Sequence, residues 1–303
     1  MAAVPLLGQR TGGILGRIET APLPAGKRRA VATAYSEHNF ARIESILAGT
    51  VTPDVPAGHA AELEALLGAI EFLGGRMVQS VQSFRRSDSL QSLDDQDRFT
   101  LAMALVALND GKGARAELNR LNGSHPGEPI YLYWLGRLDY DQRLYSEAVK
   151  KFKRVISLDP NSVLGYDNLG LSFDMMGLPG EARSAFEKAV ALNRKLPAPS
   201  PWPPLNLGSL LLRLQQFHEA EESLRESLKY NPRFALAHYH LGRALENQGR
   251  GEAAIGEFKS AAALDATFAE PLYSLGLLYR RLGHSAEAES ALDEYKRRKD
   301  GAR

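Results

Sequence analysis

Leu135-Gly136, Leu169-Gly170, Leu207-Gly208, Leu241-Gly242 and Leu275-Gly276 are one unit written five times. Their glycines stand 34 residues apart, except for the step from 170 to 208, which is 38. A supersecondary unit repeated at this period cannot bury its apolar face alone, so its copies must stack into a solenoid. Other marks travel with each glycine. Alanine follows twelve residues on (Ala148, Ala182, Ala220, Ala254, Ala288) and a large apolar residue sixteen on (Phe152, Phe186, Leu224, Phe258, Leu292). Spacings of three and four fall on one face of a helix, so each unit reads as two amphipathic helices. The first carries Leu-Gly and the second carries Ala-x-x-x-Phe. Gly and Ala mark close approaches of helix axes, and the bulky residue is expected to fill the space between neighbouring hairpins. Pro160 and Pro232 then stop the second helix, because proline lacks a donor and clashes with a continuing turn.

With these marks in place the chain resembles the tetratricopeptide repeat (TPR) family. The resemblance covers units at about 129–162, 163–196, 201–234, 235–268 and 269–300. It implies an all-α fold, a right-handed α-solenoid of stacked helix-turn-helix hairpins. Stepping back 34 residues reaches Leu101-Ala102, with Ala114, Leu118 and Pro126 at the expected offsets, which makes a sixth repeat at 95–128. A further step reaches Leu67-Gly68 and Phe84, but Ser80 replaces the alanine. Lys27–Ala48 reads as one more hairpin closed by Gly49. The organisation expected is a flexible segment over 1–25, degenerate helical hairpins over 26–94, and the solenoid over 95–300, interrupted by a proline-rich insertion at 195–204. Pro203 and Pro204 suit a first helical turn, where a missing N–H costs little. Trp202 either plugs the widened joint or meets a ligand.

In this family the first helix of each hairpin lines an inner groove, and the resemblance carries that role to particular residues here. The groove candidates are Tyr133, Arg137, Tyr140, Asp167, Trp202, Tyr239, Arg243, Tyr273 and Arg280. Five of the 20 groove positions in the five units are aromatic, against 8% of the whole chain, and aromatic and arginine side chains dominate binding hot spots. A protein or peptide partner is therefore expected in the concave groove. The two-carboxylate clamp by which some relatives hold chaperone tails is not met. Asn168 and Asn206 occupy one of its asparagine places, but Tyr133 and Arg137, or Asp167 and Leu171, stand where its first lysine and asparagine belong, with Trp202 or Leu236 at its second lysine.

Other chemistry is thin. His238 and His240 stand two apart, so their rings point in different directions round a helix and cannot share a metal. His238 is expected to be a semi-buried packing residue. Glu221-Glu222 and Asp94-Asp95 are adjacent carboxylates that do not converge on one reacting atom. No phosphate loop, serine elbow or metal helix appears, so no catalytic, cofactor or metal residue is assigned. The net charge of +1 gives no field to draw nucleic acid, and Lys296-Arg297-Arg298-Lys299 suits a helix C-terminus. The chain has no cysteine and no apolar run of membrane-spanning length. Met1–Gly8 is too short and lacks the basic flank of a signal peptide. The sequence as written favours the cytoplasm, and a periplasmic or envelope location stays open if the chain starts further upstream. The function expected is a non-catalytic scaffold or adaptor, with a role in assembling or localising a bacterial complex implied by the resemblance. The alternative is a regulatory or targeting subunit of an enzyme on another chain.

Overall fold

The computed structural model describes residues 13–301 apart from residue 53. Among the described residues there are seventeen helices and no strand. A short α1 (Ile14–Thr20) is followed by α2 (Ala25–Ser36), α3 (Phe40–Ala48), α4 (Ala57–Leu73), α5 (Met77–Leu90), α6 (Asp95–Ala107) and α7 (Gly111–Ser124). Then come α8 (Pro129–Asp141), α9 (Tyr145–Leu158), α10 (Val163–Met175), α11 (Pro179–Asn193), α12 (Trp202–Arg213) and α13 (Phe217–Tyr230). The last four are α14 (Ala235–Asn247), α15 (Gly251–Leu264), α16 (Glu270–Leu282) and α17 (Ser285–Gly301). They form two compact units, Met1–Leu138 and Asp139–Arg303, with the boundary inside α8.

The glycine ladder is the packing rule of each hairpin. A β-carbon on Gly170 would lie 2.6 Å from the Phe186 ring, on Gly242 2.6 Å from Phe258, and on Gly208 2.7 Å from Leu224. The same place on Gly276 lies 2.5 Å from Leu292, and on Gly68 3.0 Å from Phe84. The large residue sixteen positions on therefore sits on the glycine of its own hairpin. This corrects the expectation that it fills the gap to the neighbour: the second helix folds back antiparallel, which returns that residue to the glycine it left. In the N-terminal unit the divergent residues still obey the rule. Ser80 and Ser87, in the places of the small apolar residues, donate their hydroxyls to the carbonyls of Gly68 (2.7 Å) and Ala61 (2.8 Å).

The turn inside each hairpin is equally uniform. Gly75, Gly177, Gly249 and Gly283 have positive φ, and so do His38, Asn109, Arg143 and Gln215 at the corresponding turns. After each such residue an N–H reaches back to the helix it leaves, as from Gln216 to Leu211 (2.9 Å) and from Arg250 to Leu245 (2.9 Å). That bond requires the left-handed residue before it, which is why glycine recurs there.

Two segments depart from the repeat. The insertion after α11 is closed by the buried side chain of Asn193, whose amide donates to the Ser200 carbonyl (2.8 Å) while its oxygen accepts from the Ser200 N–H (2.8 Å). Pro203 and Pro204 lie in the first turn of α12, as expected. At the N-terminus, residues 1–12 lie outside the described residues. The remainder of the segment expected to be flexible is ordered: α1 forms, and Ile18, Ala21 and Leu23 are buried with Val31, Ile43, Leu63 and Ile70. Those scattered apolar residues have no repeat period, so only a receiving surface reveals their use.

Glu71 lies 2% exposed in α4 and accepts from Ser83 Oγ (2.8 Å). Burial pushes its carboxyl up to about 7, and the neighbouring Glu44, itself held low by Arg76 (2.6 Å), acts in the same direction.

Three outcomes are expected. Gly242→Ala should destabilise α14 and α15 by about 1–3 kcal/mol through overpacking, less at most about 1 kcal/mol for alanine's helix preference, read as faster amide exchange there. Gln215→Gly should stabilise its hairpin by about 0.5–1 kcal/mol, read as a higher denaturation midpoint, because the strained φ of 59° is relieved. A carboxyl raised on folding favours the fold below its unfolded pKa near 4.5 and loses that contribution as pH rises through about 7. The N-terminal unit should therefore lose on the order of 2–3 kcal/mol between pH 4.5 and 8, and Glu71→Gln should flatten that profile.

Candidate functional site

In the C-terminal unit the first helices approach one another directly, α10 with α12 and α12 with α14, and the second helices lie behind them. Polar staples join this inner layer. The Asn206 amide donates to both carboxylate oxygens of Asp167 (3.0 and 3.1 Å). Arg213 pairs with Asp174, and Arg281 with Glu246 (3.1 Å). Each staple links an acid on one first helix to a donor on the next. They hold α10 in register with α12 and α14 with α16, while the side chains between them remain available.

The groove candidates divide unevenly. Tyr133 and Arg137 are half-buried and belong to the N-terminal unit, with the Tyr133 ring edge-on to Trp134. Tyr140 lies in the C-terminal unit, edge-on to Tyr145 (5.4 Å between centroids). Asp167 is buried in the staple just described, so it shapes the inner layer rather than lining an open surface. Leu205 and Leu212 of α12 are buried too. Trp202 is 38% exposed, and its ring stands edge-on to Phe234 at 4.9 Å, at the start of the following hairpin.

The open surface lies on α14 and α16. Tyr239 packs against Phe258 and Phe268, with the Arg243 guanidinium 6.0 Å above its ring. On α16, Tyr273, Leu277 and Arg280 follow at helical spacing, all exposed, with Tyr273 leaning on Tyr295 (5.3 Å). Among the described residues neither Arg243 nor Arg280 has a carboxylate partner. The surface thus offers aromatic and aliphatic area flanked by two unpaired guanidiniums, a combination suited to a segment carrying apolar and acidic groups.

Sequence reasoning missed His240 and Arg213. His240 is pushed down to about 4 by burial, with the Arg243 and Arg213 charges adding to the effect. Its Nδ1 has no hydrogen-bond partner within the protein. A neutral ring between two cations has no signature in a repeat pattern, since its place in the hairpin is also filled by Asn168, Asn206 and Ser274. His238 is half-buried, bonded to Glu257 (2.6 Å) and the Pro232 carbonyl (3.0 Å), and Glu257 raises its pKa.

At the C-terminus, Lys296, Arg297 and Arg298 pair with Asp293 and Glu294 on their own helix, and Arg298 also donates to the Ala262 carbonyl (2.9 Å). Most of the basic run is thereby spent on closing α17. Among the described residues no three His, Asp or Glu side chains are placed to hold a metal, and no helix is long and apolar enough to cross a membrane.

The comparisons with known proteins agree with this geometry. Models of the tetratricopeptide repeat match residues 99–163, 205–269 and 269–294, just over half of the 303 residues. The chain is 29% identical over 111 residues to the peroxisomal targeting signal receptor of Kluyveromyces lactis, covering 37% of this chain and 20% of that one. It is 29% identical over 138 residues to the BBSome complex member BBS4 of Bos taurus, covering 45% and 25%. It therefore spans a quarter or less of the length of these curated relatives. A tetratricopeptide repeat protein from Parabacteroides merdae superposes with a TM-score of 0.64 at 16% identity, over 82% of this chain and 93% of the other, which is a likeness of fold. Repeat period, hairpin packing and family match coincide, and the chain belongs to the tetratricopeptide repeat family.

Proposed function

We propose that the protein is a non-catalytic scaffold that binds a segment of a protein partner on the inner face of its C-terminal unit, across α14 and α16. The observation that carries this reading is the exposed strip Tyr273, Leu277 and Arg280, together with Tyr239 and Arg243. Its apolar groups lie in the open and its two guanidiniums lack carboxylates. The Glu246–Arg281 pair joins the two helices that carry the strip, which lowers the ordering cost of binding. A segment that lays apolar side chains along the strip and offers acidic groups to Arg243 and Arg280 satisfies every part of it. His240 stays neutral at physiological pH, so it adds a hydrogen-bonding nitrogen rather than a third charge. Within the chain, residues 95–300 form the repeat array that supports this role, and 26–94 contribute more divergent hairpins.

The partner can be captured from the native source by cross-linking and mass spectrometry. Alanine at Tyr239, Arg243, Tyr273, Leu277 and Arg280 together should then weaken its binding by about 100-fold or more, since two lost hot spots suffice for that. Alanine at the exposed Glu289 of α17 should leave it unchanged. Undiminished binding by the fivefold variant would remove the groove from consideration.

A further inference from the structure

The N-terminal unit has an inner face of its own, and α1 lies on it. Residues of α4 that turn toward α5 include Gly68, under the Phe84 ring, and Glu71, bonded to Ser83. Ala69 and Leu73 instead line a small cavity with Ile14 and Arg17 of α1, and they lie roughly 100–140° round the helix from Gly68. On α6, Asp97 bonds Arg17 of α1, and Gln96 and Thr100 line the small cavity beside it. α1 thus crosses the first-helix layer of this unit as a bound segment would. It presents Ile14, Arg17 and Ile18 at helical spacing and leaves Leu15 51% exposed.

The anchor is specific. The Arg17 guanidinium donates to both oxygens of Asp97 at 2.8 Å each. Asp97 has a side chain only 6% exposed, and burial raises its carboxyl against the opposing effect of Arg17. A nearly enclosed carboxylate needs a guanidinium, and a fork-on-fork pair is the geometry that meets it. Beside it Ile18 enters the cluster of Leu63, Leu66 and Ile70.

The helix is held by this face and by α2, from which the Arg28 guanidinium donates to the Glu19 carbonyl (3.2 Å). It has seven residues, too few to be stable alone, and Gly13 gives it no side-chain cap. A cavity of about 40 Å³, lined by Ile14, Arg17, Ala69, Phe72, Leu73 and Thr100, remains between it and the layer beneath. The fit is therefore incomplete on the side of Ile14 and Arg17, while Ile18 is enclosed.

We propose that the inner face of the N-terminal unit is a second docking groove. It takes a short helix with two aliphatic residues four apart and an arginine just before the second, the pattern Ile-x-x-Arg-Ile. The unit's own α1 fills it in cis, and a partner helix of the same chemistry displaces α1. The assignment is independent of the function proposed for the C-terminal unit. Because the tether to α2 is only Ala21–Pro24, the cis helix competes at high effective concentration, so the groove opens only to a partner that is tight or locally concentrated.

A fluorescein-labelled synthetic peptide of residues 13–24 tests this on the full chain. Arg17→Asp should expose the groove and tighten peptide binding at least about tenfold over the unaltered chain, as expected when the competent state becomes populated. Adding Asp97→Asn to that variant, or replacing the peptide's arginine by alanine, should abolish the gain. On the unaltered chain, saturating peptide should speed amide exchange in residues 14–20, a readout that needs no variant. A folded Arg17→Asp chain that binds no more tightly, or exchange in α1 indifferent to peptide, would make α1 a fixed part of the core and overturn the proposal. A dimer that forms by trading α1 between copies would overturn it in favour of self-association.

Discussion

Five of the hairpins depend on the approach of a large side chain to the bare backbone of a glycine in the same hairpin, at Gly68, Gly170, Gly208, Gly242 and Gly276. A ring placed where a β-carbon would otherwise stand lets two helices come together more closely than ordinary side chains permit. It also sets their crossing, because the ring has only one place to go. Once each hairpin is set, its first helix presents a defined face to the next. The inner layer then follows from repetition, with no central core required.

Polar pairs add what packing alone does not supply. Apolar stacking is tolerant of small slides, whereas Asp167 with Asn206 and Asp174 with Arg213 fix α10 against α12, and Glu246 with Arg281 fixes α14 against α16. Exposed ion pairs contribute little stability. Here their use is positional: they engage Asp167, Asp174 and Glu246, while among the described residues Arg243 and Arg280 have no carboxylate partner. The character of the groove is set by which charges the staples consume.

Much of this is legible in the amino-acid sequence. The Leu-Gly, Ala and Phe spacings locate the hairpins after α7, and the prolines locate the long loop. What stays hidden has physical reasons. Arg143 and Gln215 adopt the left-handed turn where glycine would announce it, so the turn is set by the hairpin and not by the residue. Ser80 hides a repeat position because its hydroxyl finds a carbonyl, which makes a polar residue equivalent to alanine there. α1 escapes a periodic reading because a helix of barely two turns is too short to show a period. Among the groove candidates, Asp167 can be placed on the inner face but not distinguished from an open residue, since its partner Asn206 is 39 positions away. His240 has unusual chemistry only through neighbours that the sequence does not put beside it.

The two hydrogen bonds between Asn193 and Ser200 place residues 195–199 on a side branch of the chain. The path from α11 to α12 is closed across the base of that branch by a single amide. The amide bridges the base of the loop, so α11 and α12 are joined by a contact that does not run through residues 195–199. Chain added above that bridge lengthens the loop without entering the joint between the two helices.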